Sequence, residues 1–236
     1  MALKALIFDV DGTLAETEEL HREAFNRAFA DAGISWFWSR PVYGRLLQVT
    51  GGRERILAYA EETGTCRVDA AALHKVKTGY YKQAMSGSAI ALRDGVERLI
   101  GLALEQGLSL GIATTTSRSN VDSLFQATLG MEMLGRFRSV RTGEDVGAKK
   151  PDPEVYRLVL DDLGVGAQES IAFEDSANGL RAARALGIPT LITPGIYTRE
   201  DDFTGAECIL DSLGHLFDPQ SGSVHCCPAL VPFGVA

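Results

Sequence analysis

The chain has 236 residues, a length that admits one α/β domain carrying a modest insertion. Its 45% hydrophobic and 23% charged residues are ordinary for a globular protein, and its net charge of −8 argues against nucleic acid as a partner, because phosphate-backbone binders carry a basic surplus. No apolar run reaches the roughly 18 residues needed to cross a bilayer.

Met1-Ala2-Leu3-Lys4 passes directly into an apolar segment, so neither a signal peptide nor a membrane partner is expected. The four cysteines, Cys66, Cys208, Cys226 and Cys227, lack Cys-x-x-Cys spacing and fit a reducing compartment. The expected location is the cytoplasm, or the plastid stroma in a photosynthetic eukaryote. The expected state is a monomer.

Ala5-Leu6-Ile7-Phe8 reads as a short buried strand, and Asp9-Val10-Asp11-Gly12-Thr13-Leu14 follows it. Two carboxylates one residue apart at the end of a strand repel each other unless a divalent cation or a shared proton accommodates them. With a cation, one carboxylate binds metal and the other remains available for proton transfer, a division suited to phosphoryl chemistry. An isolated Asp-x-Asp-Gly is equally an ordinary turn; the apolar strand before it and Thr-Leu after it make the string more specific.

From Glu16 to Ala32 the apolar residues recur at helical spacing, with Gly33 as the stop, and further helical patterns cover Gly52 to Thr63 and Asp69 to Met85. Gly87 and Ser88 read as a return linker. Residues 16–87 are therefore expected to form an all-helical cap inserted into an α/β core made of residues 1–15 and 88–217, with 218–236 an irregular tail. The cap carries ten Lys/Arg and nine Asp/Glu, leaving a net charge of −9 on the remainder. Basic groups gathered in the insertion suit a lid over an anionic substrate, although most of them also read as solvated helix faces.

A helix is expected from Asp94 to Gln106, then a strand, Leu108 to Ala113, ending in Thr114-Thr115-Thr116-Ser117. Hydroxyls and free amides at such a turn form a phosphate cradle, or simply cap the next helix, Asn120 to Leu129. A short strand at Phe137 to Val140 precedes Lys149-Lys150-Pro151-Asp152-Pro153 and the helix Glu154 to Leu163. Proline keeps Lys150 out of helix, so its ammonium stands at a rigid turn, whether exposed or in a site. Ser170 to Phe173 is the next buried strand, and Glu174-Asp175-Ser176 leaves its end. These acids are either first-turn and capping groups of the helix Ser176 to Leu186 or, together with Asp9 and Asp11, a hard-oxygen site for Mg²⁺. Ile188 to Ile192 is a further strand, and Ile209 to Phe217 closes the fold.

Taken together, the four strings Asp9-Val10-Asp11-Gly12-Thr13, Thr114-Thr115, Lys150-Pro151-Asp152-Pro153 and Glu174-Asp175-Ser176 resemble the four motifs of the haloacid dehalogenase-like (HAD) hydrolases in their phosphatase form. The resemblance implies a doubly wound, Rossmann-like parallel sheet with an inserted helical cap. It makes Asp9 the nucleophile and Asp11 the general acid/base. Thr114 binds the transferring phosphoryl group, Thr115 supplies an amide, and Lys150 offsets charge. Asp9, the Asp11 backbone carbonyl, Glu174 and Asp175 form the Mg²⁺ site.

The cap narrows the likeness. Glu16-Thr17-Glu18-Glu19-Leu20-His21, Trp36-Phe37-Trp38 with Tyr43, Thr50-Gly51-Gly52-Arg53-Glu54-Arg55, Lys149-Lys150-Pro151 and Glu174-Asp175-Ser176-Ala177-Asn178-Gly179-Leu180 resemble the CbbY-type branch. Members of that branch hydrolyse xylulose-1,5-bisphosphate, a misfire product that inhibits Rubisco. On this resemblance Glu18, His21, Tyr43, Gly51, Gly52, Arg53 and Arg55 are expected to hold the sugar and its distal phosphate. By spacing alone Glu18 pairs equally well with Arg22 on a surface helix, and Gly51-Gly52 is equally a hinge. A β-phosphoglucomutase is the alternative, against which Glu18 stands. A phospho-acceptor switch is a second, which needs neither Asp11 nor a helical insertion.

Overall fold

The computed structural model describes residues 2–87 and 90–217. Six strands form one parallel sheet in the order β3-β2-β1-β4-β5-β6: β1 Ala5–Phe8, β2 Ser109–Ala113, β3 Phe137–Arg141, β4 Ser170–Glu174, β5 Thr190–Ile192 and β6 Cys208–Ile209. All four residues of β1 are buried, as a strand covered on both faces requires. Leu6 and Phe8 face one apolar layer, with Leu99 and Ile100 of α5 (Val96–Glu105), Leu124 and Phe125 of α6 (Arg118–Ala127) and Leu134 of the short α7 (Met131–Leu134). Ala5 and Ile7 face the other, with Val155 and Val159 of α8 (Glu154–Leu163) and Ala182 and Ala183 of α9 (Ala177–Ala185). Period-two alternation thus sends successive β1 side chains into opposite layers.

The order reverses at the central strand: β1 pairs with β2 on one side and β4 on the other. Open α/β sheets bind ligands at such a switch point, outside the carboxyl ends of the strands. Asp9 follows β1, Thr114 follows β2, and Glu174 ends β4, so the topology alone delivers these groups to one crevice.

Among the described residues, four helices lie between β1 and α5: α1 Glu18–Asp31, α2 Arg40–Leu46, α3 Gly52–Glu62 and α4 Ala70–Gly87. They enclose their own apolar cluster of Phe25, Phe29, Trp38, Tyr43, Leu46, Ile56, Ala70 and Leu73. In Trp36-Phe37-Trp38 the side chains alternate. Trp38 is fully buried against Phe25 and Phe29, Trp36 packs edge-on to Phe29 and Tyr59, and Phe37 between them is 67% exposed.

Several bounds differ from the sequence expectation. The first helix starts at Glu18 rather than Glu16, because Ala15 is still bridged to Asp11, its carbonyl accepting from the Gly12 amide at 2.8 Å; Thr17, at the N-cap position, donates its hydroxyl to Asp11. Helix α2 was not expected: Gly44 and Pro41 hide its periodicity, yet Ser39 caps it by accepting from the Val42 amide. Helix α5 begins after Gly95, whose φ of +83° is left-handed, and not at Asp94. Gly87, expected in a linker, is the last residue of α4, while Ser88 and the tail from 218 onward, with Cys226 and Cys227, lie outside the described residues. The stretch Ile209 to Phe217 resolves into the end of β6 and a 3-10 turn at Leu213–Phe217. Among the described residues no helix is long and apolar enough to cross a membrane.

Candidate active site

Asp9, Thr114, Lys150 and Asp175, drawn from four distant segments, line one cavity of about 750 Å³ between the sheet and the helical insertion. Lys150 is 4% exposed, and its ammonium donates to Asp9 Oδ1 at 2.7 Å, to Glu174 Oε1 at 2.6 Å and to the Ala113 carbonyl at 2.7 Å. The Tyr156 hydroxyl, from α8, donates to the same Glu174 oxygen at 2.6 Å. All three hydrogens of the ammonium are thus engaged, and the cation is fixed between two carboxylates.

Burial, with help from Glu174 and Asp11, outweighs Lys150 and raises the Asp9 carboxyl to about 7. Burial and then the Asp9 and Glu174 charges also raise Asp175 well above the ordinary carboxylate range. The Thr114 hydroxyl, at the end of β2, accepts from the Thr116 amide at 3.3 Å, which leaves its proton for a ligand. Thr115 lines the same cavity.

The residues fit a divalent cation. One carboxylate oxygen each from Asp9, Glu174 and Asp175 lies within 4.8 Å of the others, an all-oxygen donor set of the kind Mg²⁺ takes. Glu174 Oε2 is buried without a hydrogen-bond partner. The Asp175 carboxylate rests over two glycines: a Cβ on Gly12 would stand 2.3 Å, and one on Gly195 2.8 Å, from Asp175 Oδ2. Because a cation must displace protons from both Asp9 and Asp175, Mg²⁺ affinity is expected to fall by about tenfold or more per pH unit below about 7. Calorimetric titrations at pH 5.5, 6.5 and 8 check this.

Asp11 points toward the insertion. Its Oδ1 accepts from the Thr17 hydroxyl at 2.5 Å and lies 3.0 Å from His21 Nε2. His21 Nδ1 in turn lies 2.6 Å from the Lys77 ammonium nitrogen, from α4. A charged lysine has no acceptor, so it donates to Nδ1; the ring proton then sits on Nε2 and is donated to Asp11. Burial works against the Asp11 charge, but His21, Thr17 and Lys77 overcome it and hold the carboxyl well below its usual range.

Lys77 is 3% exposed, and burial pushes its ammonium down to about 7. Between that value and its ordinary 10.5 the unfolded chain binds the extra proton, so the stability cost of burying Lys77 is full below pH 7 and shrinks as the pH rises toward 10.5. Lys77→Met is therefore expected to melt higher than the wild type at pH 6, with the gap closing by pH 10. It also turns over more slowly, because His21 loses its tautomer-setting donor. Thermal melts and initial rates on the same samples check both.

The cap residues expected to hold substrate divide into two groups. Glu18, His21, Gly51, Gly52, Arg53 and Arg55 line the cavity. Tyr43 is fully buried behind them, its hydroxyl donating to Glu18 Oε2 at 2.6 Å. Arg55 is also largely committed, donating to the Leu46 carbonyl at 3.1 Å and to the Tyr43 hydroxyl at 3.2 Å, whereas Arg53 is exposed. The alternative Glu18–Arg22 pair is not formed; Arg22 goes to Glu19.

Lys149 also lines the cavity but is held differently from Lys150. Its ammonium is gripped by both Glu54 oxygens at 2.9 Å, across the boundary between sheet domain and insertion. These groups sit directly over Gly51, whose φ is +98° and on which a Cβ would stand 2.2 Å from Glu54 Oε2. His74, beside Gly52, is pushed down to about 4 by burial and then by Lys77 and Lys149, so this wall is already crowded with cations. Thr17, Lys77, Glu54 and Tyr156 were not singled out from sequence. Only Lys77 carried a readable signal, a lysine within the apolar stripe Leu73, Tyr81, Met85.

Residues 3–187 match the haloacid dehalogenase-like hydrolases. CbbY encoded on a plasmid of Cupriavidus necator is 47% identical over 225 residues, covering 92% of this chain and 89% of its own. A crystal structure of a point mutant of CbbY from Rhodobacter sphaeroides, in complex with xylulose-1,5-bisphosphate, superposes with a TM-score of 0.87 at 42% identity, covering 93% of this chain and 98% of that one. A putative β-phosphoglucomutase from Thermotoga maritima gives a TM-score of 0.68 at 25% identity, covering 91% and 96%. With a buried lysine between strand-end acids, a hydroxyl turn beside them and a match that runs through both sheet and insertion, the chain belongs to the haloacid dehalogenase-like hydrolases, in the CbbY branch.

Proposed function

We propose that the protein is a Mg²⁺-dependent sugar phosphatase acting on xylulose-1,5-bisphosphate through an aspartyl-phosphate at Asp9. The observation that carries this reading is the convergence of Asp9, Asp11, Thr114, Lys150 and Asp175 on one cavity beneath the helical insertion. The bisphosphate bound to the similar Rhodobacter sphaeroides CbbY supports the choice of sugar. Phosphoryl transfer asks a protein mainly for positioning and charge stabilisation, and those are what these groups offer.

Asp9 attacks phosphorus as the bond to the sugar oxygen breaks, and Asp11 passes to that oxygen a proton received from His21 Nε2, which Lys77 replaces at Nδ1. Asp11, held as a carboxylate by Thr17 and His21, then takes a proton from the water that cleaves the aspartyl-phosphate. Lys150 and the Thr114 hydroxyl face the phosphoryl oxygens. Asp9, the Asp11 backbone carbonyl, Glu174 and Asp175 would hold Mg²⁺, which supplies Lewis-acid charge to the same oxygens when bound. Glu18, Gly51, Gly52, Arg53 and Arg55 take the sugar and its second phosphate, with Tyr43 fixing Glu18 and Arg55 from behind. The protein works as a cytoplasmic monomer.

The test is phosphate release from a panel of sugar mono- and bisphosphates with and without Mg²⁺. Xylulose-1,5-bisphosphate is expected to give the highest kcat/KM, and only with the metal. Conversion of β-glucose 1-phosphate to the 6-phosphate in preference to hydrolysis would identify a mutase instead.

A further inference from the structure

The loop after β5 touches the insertion and the acidic cluster through consecutive residues. Tyr197 leaves the sheet domain to join the apolar cluster of the insertion. Its ring meets the Tyr43 ring edge-on, with centroids 5.5 Å apart at 78°, and its hydroxyl donates to Glu19. Gly44 makes room for it: a Cβ there would stand 3.2 Å from Tyr197 Cδ1. The next residue, Thr198, is buried, and its hydroxyl donates to the Asp175 carbonyl at 2.6 Å, lies 3.3 Å from Asp175 Oδ2, and accepts from the Gly195 amide at 2.8 Å. Gly195, two residues before Tyr197, is one of the two glycines on which the Asp175 carboxylate rests.

In the four-residue segment 195–198, Tyr197 is therefore seated in the helical insertion while its neighbours meet one residue, Asp175: Thr198 at its carbonyl, with the carboxylate 3.3 Å away, and Gly195 beneath the carboxylate. A shift of the backbone at Tyr197 is carried to Thr198 beside it, because consecutive Cα atoms are fixed about 3.8 Å apart.

We propose that Tyr197 is a positioning residue that couples seating of the cap to the orientation of Asp175, acting through Thr198. With Tyr197 docked on Gly44 and Tyr43, Thr198 holds Asp175 in the direction a cation needs; with Tyr197 displaced, that carboxylate loses its support. Cation binding and cap closure then favour one another, and by thermodynamic linkage each strengthens the other by the same factor. The inference rests on the metal-dependent reading given above.

The test measures binding of Mn²⁺ alone, without substrate, by the loss of its free-ion paramagnetic resonance signal, in the full-length wild type, Thr198→Val, Tyr197→Ala and Tyr197→Phe. Thr198→Val is expected to weaken binding by about tenfold, as loss of a group that orients a metal ligand does. Tyr197→Ala is expected to weaken it by about 3- to 30-fold, the range of coupling carried between sites. Tyr197→Phe, which keeps the ring against Gly44 and Tyr43, is expected to return most of that loss.

Wild-type affinity in Tyr197→Ala alongside weakened binding in Thr198→Val would overturn the coupling and leave the metal site standing. Equal loss in Tyr197→Phe and Tyr197→Ala would overturn docking of the ring as its basis. Failure of the wild type itself to bind Mn²⁺ would overturn the metal-dependent reading and the coupling with it.

Discussion

Asp9→Asn is expected to abolish turnover, by about 10⁴-fold or more, while the protein melts at or above the wild-type temperature. An amide is isosteric with the carboxylate but cannot attack phosphorus. The fold loses nothing it depends on: Lys150 keeps Glu174 and the Ala113 carbonyl as partners, and one of several mutually repelling charges is gone. Burial that lifts the Asp9 carboxyl to about 7 shows that this charge opposes the fold, so its removal relieves strain of an electrostatic kind. Initial rates together with thermal melts separate the two effects. Near-normal turnover by Asp9→Asn would remove the covalent mechanism.

Lys150→Met is expected to damage both stability and activity. The side chain is 4% exposed and all three ammonium hydrogens are used, so its loss leaves Asp9 and Glu174 facing each other in a buried site. Removing one partner of a buried ionic cluster costs about 3–5 kcal/mol. The sign of the pH dependence follows from what remains: the orphaned carboxylates can take up protons, so the deficit is smaller at pH 5.5 and grows toward pH 8. Turnover is expected to drop by about 10²- to 10³-fold, the usual consequence of losing one fixed donor to a developing oxyanion. Denaturant melts at the two pH values and rates on the folded fraction check these. A deficit that shrinks as the pH rises would contradict the assignment of Lys150 as their counter-charge.

Much of this site was legible because its chemistry sits at strand ends. Short apolar runs that stop at Asp9, Thr114 and Glu174 announce buried strands, and a doubly wound sheet brings their carboxyl ends together without further information. Lys150 was legible through its proline.

What escaped the sequence acts by contact across the insertion. Lys77 meets His21 from 56 residues away, Glu54 meets Lys149 from 95, and Tyr197 meets Glu19 from 178. No local period encodes such pairs. Tyr43 shows the converse: a residue expected to hold the sugar is fully buried, because the helix that carries it packs that face on Phe25, Trp38 and Tyr197. The same packing leaves Tyr43 only its hydroxyl, which it spends on Glu18 and Arg55.

Covalent catalysis at this site requires that a phosphoryl group reside on one carboxylate, and that the neighbouring carboxylate release it. Brief incubation of Asp11→Asn with xylulose-1,5-bisphosphate and Mg²⁺, followed by acid quench and peptide mass analysis, tests this directly. The expected result is the mass of one phosphoryl group added to the peptide that contains Asp9, and to Asp9 within it. Unmodified protein with turnover still at the wild-type rate, or a phosphoryl group found on any other residue, would contradict it.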